Sequence, residues 1–293
     1  MHTPVLLNEI LKYLNPRLGD VFIDATINGG GHAQAIAKCI NKHGRLLGID
    51  RDCELLHSES LSYKLQATSY KLVCDTFANI QHIAKQHAFA NINGILFDLG
   101  FSSYQLDESG RGFSFQKDEP LDMRYDTSSG VSAEELLATR SEEELIYIFQ
   151  EYGEERFSKT IARAIVQTRK RLSIRTTKEL VYVVVRAIPA RFRKNKIHAA
   201  TRVFQALRIC VNDEYSHISK GISDGAALLG PDGRIAVIAF HSGEDRLVKT
   251  IFRDLETEGI LQRITKKPIS PSQKEIHDNP RARSAKLRVG ERL

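Results

Sequence analysis

Short apolar runs alternate along the chain with stretches in which apolar residues recur every three or four positions, the pattern of strands interleaved with helices. Val5, Leu6, Ile10, Leu11 and Leu14 share one helical face ahead of Pro16. Val21-Phe22-Ile23-Asp24-Ala25 follows Gly19-Asp20 and reads as a buried parallel strand. His32 to Ile40 has helical spacing, and Arg45-Leu46-Leu47-Gly48-Ile49-Asp50 reads as a second strand ending in a carboxylate. Strand, glycine-rich turn, helix and strand make a βαβ unit. Tyr70 to Cys74 and Ile92 to Leu99 predict two more strands, with a helix over Ala78 to His87 between them.

The alternation breaks near Arg111. Residues 107–130 are turn-rich and charged, and 131–220 read as successive helices. Val181 to Val185 is β-branched, but its flanks favour a helix. Beyond 220 a helix runs through Leu229, Gly230-Pro231-Asp232-Gly233 makes a turn, and Arg234 to Phe240 reads as a strand. The expected architecture is α/β: a doubly wound sheet built from residues 1–110 and 212–293, interrupted by a helical domain over 111–211.

Charge sharpens this division. Residues 156–208 hold 15 Lys/Arg and one acid, Glu179, a balance of +14, while the rest of the chain sums to −8. A basic helical surface with almost no acids to pair with suits a polyanion such as nucleic acid. With 42% hydrophobic residues, the 293-residue chain has enough apolar material for a packed core. No run of eighteen apolar residues exists, so no membrane span is expected. The opening residues lack a basic n-region and a cleavage site, so a cytoplasmic location is expected. Cys39, Cys53, Cys74 and Cys210 form no CxxC pair, which argues against a disulfide framework and a zinc site, and no metal is expected.

In an open parallel sheet, ligands bind beyond the carboxyl ends of the strands. The loops there begin at Asp24, Asp50, Asp75 and Asp98. The first, Asp24-Ala25-Thr26-Ile27-Asn28-Gly29-Gly30-Gly31-His32, lets backbone approach a ligand closely and offers helix N–H groups to a carboxylate. Asp50 lies at the spacing from which a second-strand carboxylate reaches ribose hydroxyls. This geometry serves any adenosine ligand. The absence of GxGxxG, and an acid at Asp24 suited to the amino group of a methionine moiety, favour S-adenosylmethionine over a dinucleotide. A dinucleotide oxidoreductase, a DNA amino methyltransferase and a non-catalytic RNA-binding factor are the competing classes.

Several runs together resemble one family. His2-Thr3-Pro4-Val5-Leu6-Leu7-Asn8-Glu9, Gly29-Gly30-Gly31-His32, Gly48-Ile49-Asp50-Arg51-Asp52 and Asp98-Leu99-Gly100-Phe101-Ser102-Ser103-Tyr104-Gln105-Leu106-Asp107 are similar to the ribosomal RNA small-subunit methyltransferase H family, the rRNA (cytosine-N4)-methyltransferases. So are Arg111-Gly112-Phe113-Ser114-Phe115, Pro120-Leu121-Asp122-Met123-Arg124, Tyr152-Gly153-Glu154-Glu155-Arg156-Phe157, Phe204-Gln205-Ala206-Leu207-Arg208 and Asn279-Pro280-Arg281-Ala282-Arg283-Ser284. The resemblance spans nearly the whole chain. It implies a class I (Rossmann-like) methyltransferase sheet with an inserted helical domain, S-adenosylmethionine as methyl donor, and the N4 amine of a decoding-centre cytosine as target. By matched motif it places the cofactor against Gly30, Gly31, His32, Asp50, Phe77, Asp98 and Gln105. The implied partner is small-subunit rRNA or the assembled small subunit, with a homodimer left open. The chain departs from the family at Gly243, where leucine is usual, at Phe101 and Tyr104, where a small residue and often proline stand, and at Asn28.

Cytosine's exocyclic amine is a poor nucleophile because its lone pair is delocalised into the ring. Acceptors aimed at its N–H groups favour the pyramidal form and stabilise the developing charge. Asp98 is the expected principal group, with Asn212, His241 and Ser242 orienting the base. Carbon-5 transfer needs a cysteine nucleophile. Cys74 reads as a buried small residue, which favours nitrogen as the target. The expected phosphate contacts are Arg163, Arg169, Lys170, Arg171, Arg175, Arg191, Arg193, Lys194, Lys196 and Arg202, with Arg281, Arg283, Lys286 and Arg288 adding to them. Phe113 or Phe115 are candidates to stack on the extruded base.

Overall fold

The computed structural model describes residues 4–56, 59–99, 109–193 and 198–293. The chain divides into two units, Met1–Phe101 with Tyr215–Leu293, and Ser102–Glu214.

The first unit is built on seven strands: β1 (Val21–Asp24), β2 (Arg45–Asp50), β3 (Ser69–Cys74), β4 (Ile92–Asp98), β5 (Leu229–Ala239), β6 (Leu261–Arg263) and β7 (Lys286–Arg292). Their order is β3-β2-β1-β4-β5-β7-β6. The first five pair in parallel, and β7 runs antiparallel to both β5 and β6. This is the Rossmann-like class I arrangement. Consecutive strand residues point to opposite faces, and both faces are buried at the inner parallel strands β1, β2 and β4, so those read as largely apolar runs. Ile23, Leu47, Ile49, Ile95, Phe97 and Val237 fill one face. Phe22, Leu46, Leu96, Ala236, Ile238 and Leu287 fill the other. Helix α1 (Leu7–Leu14) and helix α2 (Gly31–Ile40) pack on the second face through Ile10, Leu14, Ala33, Ile36 and Ile40. Short helices α3 (Cys53–Leu56) and α4 (Glu59–Leu65) follow β2, and α5 (Ile80–Gln86) follows β3.

The Gly230 to Gly233 turn is absorbed into β5 as a bulge. Ile92 pairs with Leu229 and Gly94 with Arg234, so four residues of β5, Gly230 to Gly233, stand against the single Asn93 of β4, with Asp232 at φ 60°. The cysteine expectation is corrected. A disulfide joins Cys53 and Cys74, and Cys74 is exposed rather than buried. The β2–β3 register sets Asp50 opposite Cys74, which brings Cys53, three residues further on, within reach. The sequence separation of 21 hides this proximity. The carboxyl-terminal pair β6–β7 is also absent from the sequence reading. Arg288 stands in the middle of the buried run of β7 and is 6% exposed, so it is not a free phosphate contact. Its Nε donates to Asp245 Oδ1 at 2.7 Å, and Lys286 Nζ reaches Asp245 Oδ2 at 3.2 Å.

In the second unit, α6 (Ala133–Thr139), α7 (Glu142–Glu151), α8 (Ser158–Arg169), α9 (Thr177–Ala187) and α10 (Thr201–Val211) pack around Leu136, Leu145, Phe149, Ile161, Leu180 and Leu207. Ser132 with Glu135, Ser141 with Glu144, and Thr176 with Glu179 form capping boxes that start three of these helices. The unit extends past the expected limit of 211 because its last residues are tied into it. Arg208 grips Glu214 through two 2.7 Å bonds, and the Tyr125 hydroxyl donates to the same carboxylate at 3.1 Å. The following α11 (Glu214–Leu228) and, after β5, α12 (Ser242–Thr257) and α13 (Gln273–Asp278) complete the described helices.

Burial raises the Asp245 carboxyl, but Arg288 and Lys286 outweigh it and hold the carboxyl below its ordinary value. The stability from this cluster is therefore present at neutral pH and lost as pH falls below about 4 through the depressed folded value. Asp245→Ala leaves Arg288 buried without its carboxylate and should cost roughly 3–5 kcal/mol, read by urea titration at pH 7. An unshifted midpoint would show that the pair contributes nothing.

Candidate active site

The carboxyl edge of the sheet gathers acids from three neighbouring strands. Asp24 pairs in register with Gly48 on β2 and Leu96 on β4, so Asp50 and Asp98 each end two residues beyond it. Asp24 is 1% exposed, and its one hydrogen bond among the described residues comes from the Thr26 N–H at 3.2 Å. Burial, helped by the charges of Asp98 and Asp50, pushes its pKa up to about 8. Asp50 is also raised by burial, although its two oxygens accept from the N–H groups of Asp52 at 3.0 Å and Asn28 at 2.8 Å.

Asp98 is held from two sides. Its backbone N–H donates to Thr26 Oγ1 at 2.6 Å, and His32 Nδ1 lies 3.6 Å from its carboxylate. The other nitrogen, His32 Nε2, is 2.9 Å from the Val5 carbonyl oxygen, which can only accept, so Nε2 carries a proton and Nδ1 faces the acid. His32 is thus buried, with Nε2 bonded to the Val5 carbonyl and Nδ1 beside the Asp98 carboxylate but beyond hydrogen-bond distance.

The glycine loop bends through Asn28 at φ 45° and Gly30 at φ 72°, and Gly30 caps α2 without any side-chain cap or first-turn acid. A Cβ at Gly30 would sit 2.3 Å from Leu61 Cδ1, and one at Gly31 2.5 Å from Pro4 Cγ, so the loop lies against neighbouring side chains. Lys64 Nζ ties the Gly29 carbonyl at 2.6 Å. Phe77 begins a short 3-10 turn, its ring edge-on to Phe97 at 5.6 Å, with Gly221 of α11 against it. The Arg51 guanidinium lies 5.8 Å from the same ring and donates to Thr76 Oγ1 at 2.7 Å.

These residues fit S-adenosylmethionine. Asp24 is a buried acid with no cationic partner among the described residues, α2 offers its amino end to a carboxylate, Asp50 stands at the second strand, and Phe77 is partly buried. Gln105, Phe101 and Tyr104 lie outside the described residues. Among those described, no group of three or more His, Cys, Asp or Glu is arranged to hold a metal. No described helix is long and apolar enough to cross a membrane.

At the end of β5, His241 is the N-cap of α12. Its Nδ1 accepts from the Glu244 N–H at 3.3 Å, while Glu244 Oε2 accepts from the Phe240 N–H at 2.7 Å. Ser242 follows, exposed. The Gly243 departure has a physical counterpart. A Cβ there would stand 2.0 Å from the Tyr215 hydroxyl, and the Tyr215 ring stacks beside His241 at 6.4 Å. Tyr215 fills the space that a side chain at 243 needs. Sequence reasoning passed over Tyr215, Thr26 and Glu244, since nothing in their spacing marks them.

In the second unit, Asn212 uses both amide hydrogens on the carbonyls of Met123 (2.7 Å) and Arg208 (2.9 Å), and its oxygen accepts from the Tyr125 N–H at 2.8 Å. It clamps the 123–125 backbone. Phe113 is buried and stacked on Tyr125 at 5.3 Å, and Phe115 packs against His198 and Phe204, so both rings already have partners. Many of the expected phosphate contacts also have internal partners. Arg163 faces Glu142, Arg175 faces Glu134, and Arg169, Arg193 and Arg202 donate to backbone carbonyls. Arg191 lies over Phe192 at 4.8 Å. Lys194 and Lys196 lie outside the described residues. Lys170 and Arg171 have no acidic partner among those described.

Comparison with known proteins bears on this site. The model of the MraW methylase family matches residues 1–293. The ribosomal RNA small subunit methyltransferase H of Halothermothrix orenii is 44% identical, over 100% of this chain and 98% of its own. The protein of the same name from Carboxydothermus hydrogenoformans is also 44% identical, with the same coverage of both chains. A solved rRNA methylase from Streptococcus thermophilus aligns over 100% of this chain and 99% of its own at TM-score 0.46 and 10% identity, a likeness too remote to carry weight.

Two outcomes are expected. At pH 6.5 Asp24 is protonated in the free protein, so an ammonium bound beside it should displace the proton. Calorimetry of S-adenosylmethionine binding in buffers of different ionisation enthalpy should show proton release that Asp24→Asn removes; equal release from the variant would overturn the assignment. Gly243→Leu should destabilise the protein by roughly 1–3 kcal/mol through overpacking. Adding Tyr215→Ala should recover part of that loss in thermal melts, and strictly additive losses would disprove the steric coupling.

Proposed function

The chain belongs to the MraW methylase family, and from that membership we propose that it methylates the exocyclic N4 amine of a decoding-centre cytosine in small-subunit ribosomal RNA. The methyl donor is S-adenosylmethionine, which supplies an electrophilic methyl group on a sulfonium. Support for the RNA comes from the names of the full-length relatives and from the +14 balance of residues 156–208.

The observation that carries the chemistry is Asp98. Its carboxylate is buried at the end of β4, beside the strand ends of Asp24 and Asp50, with Thr26 Oγ1 accepting from its backbone N–H and His32 packed beside it. A carboxylate so held costs no reorganisation when it accepts an N–H of the amine, which frees the lone pair for attack and offsets the charge that develops. In-line displacement asks mainly for alignment. Asp24, Gly30, Gly31, Asp50 and Phe77 hold the donor, and His32 acts as a positioning residue through Asp98. His241 and Ser242 orient the base from the end of β5. Asn212 contributes by keeping Met123 to Tyr125 in place.

The test is transfer of labelled methyl groups to small subunits lacking the modification, with nucleoside analysis of the product. N4-methylcytosine at one position is expected. Asp98→Ala should lower turnover by about a hundredfold or more while the far-ultraviolet spectrum keeps its helix and sheet content. Near-normal turnover would remove Asp98 from the mechanism, and a methylated carbon or ribose oxygen would overturn the N4 assignment.

A further inference from the structure

Between α8 and α9 of the second unit lies an open groove of about 1090 Å³, floored by Ala164, Ile174 and Val183. Two large apolar side chains line it, yet both remain in solvent: Leu172 is 65% exposed and Tyr182 60% exposed. A second depression of about 620 Å³, lined also by Val185 and Arg193, shares Lys178, Tyr182 and Arg186 with it, so the ring borders both hollows. The Arg186 guanidinium hydrogen-bonds the Tyr182 hydroxyl and lies 5.2 Å from the ring centroid.

The charge around this ring has one sign. Lys170, Arg171, Lys178 and Arg186 line the groove, and none has an acidic partner among the described residues. The single acid present, Glu179, is spent on the N–H groups of Arg175 and Thr176 at the start of α9. Elsewhere in the unit, by contrast, Arg163, Arg169, Arg175 and Arg202 are tied to internal acceptors. A protein partner would bury Leu172 and Tyr182 but would also have to neutralise four clustered cations. A duplex would meet the cations and leave the aromatic ring without a role, because its bases are stacked on each other. A single strand satisfies both, with phosphates on the cations and an unstacked base on the ring.

We propose that this groove binds a single-stranded stretch of the RNA substrate. One base stacks on Tyr182, and Lys170, Arg171, Lys178 and Arg186 take the flanking phosphates. The proposal rests on the RNA reading given above and adds to it a second point of attachment, on α8 and α9. Arg186 holds the Tyr182 ring by hydrogen bond and cation–π contact, so the stacking platform is ordered before the strand arrives.

The test uses the full chain and a fluorescent single-stranded pyrimidine oligoribonucleotide of twelve residues, alongside a duplex of equal length and poly-glutamate as competitors. Tyr182→Ala should weaken oligomer binding roughly five- to a hundredfold, and Tyr182→Phe should restore most of it. Lys178→Ala should lower the slope of log affinity against log salt by about 0.7. Tyr182 is solvent-exposed, so melting temperature can verify that the variants are folded. Unchanged affinity in Tyr182→Ala overturns the proposal. So does stronger binding of the duplex, and so does equal competition by poly-glutamate, which would assign the groove to an acidic protein. Wild-type methyl transfer, measured separately, keeps the two readings apart. Transfer that proceeds with no Tyr182 effect overturns only the groove. Tyr182-dependent oligomer binding without transfer overturns only the reaction.

Discussion

Three adjacent strands of one parallel sheet end in carboxylates, and nothing among the described residues neutralises the most buried of them. Asp24 meets the cost by staying protonated up to about pH 8. Its folded pKa is raised, so the free fold loses stability as pH rises from the unfolded value toward 8, on the order of 4 kcal/mol by neutral pH. An ammonium group beside Asp24 would recover the deficit, and binding energy would then be largest where the empty protein is most strained. The surrounding design follows from this. The glycine loop must bring backbone close without adding side chains, and Thr26 must bridge the first strand to the fourth so that Asp98 keeps its place.

The acids of the first unit and the cations of the second solve different problems. The acids are few, buried and individually positioned at the ends of neighbouring strands. The cations are many and exposed, and a share of them are structural. Arg169 closes the carbonyls of Leu137 and Arg140, and Arg208 holds Glu214. Counting Lys and Arg along the chain therefore overstates the surface available to a polyanion. The residues that remain are better found from what each guanidinium or ammonium already touches than from the sequence.

How much of this could be read from the sequence varied with the kind of signal. The strands β1, β2 and β4 were legible because they lie buried inside the sheet and are largely apolar, while β3, at the edge, is largely exposed and offered only Tyr70, Leu72 and Val73. The acids at their ends were legible from topology alone. β7 was not, because Arg288 occupies a buried position there and breaks the apolar run, and its partner Asp245 is 43 residues away. The Cys53–Cys74 link was invisible for a similar reason. Register, not spacing, brings the two together. Asn212, expected to orient the base, has its amide committed to the backbone of Met123, Tyr125 and Arg208.

Gly243 shows how a departure from a family pattern is best weighed. Taken alone, a missing side chain beside His241 reads as a defect in the base pocket. The space is not empty, however, since the Tyr215 hydroxyl stands where the Cβ would be. The Tyr215 ring lies alongside His241, the cap of α12, whose first turn also carries Asp245 and its ion pairs to β7. A leucine at 243 would need the volume that the Tyr215 hydroxyl occupies, so the ring would have to move to admit it. The substitution alters which side chain borders His241, aromatic with a hydroxyl in place of aliphatic, while the capping box that fixes His241 and Glu244 is left intact. The departure therefore changes the neighbours of His241 and leaves in place the groups proposed for the chemistry.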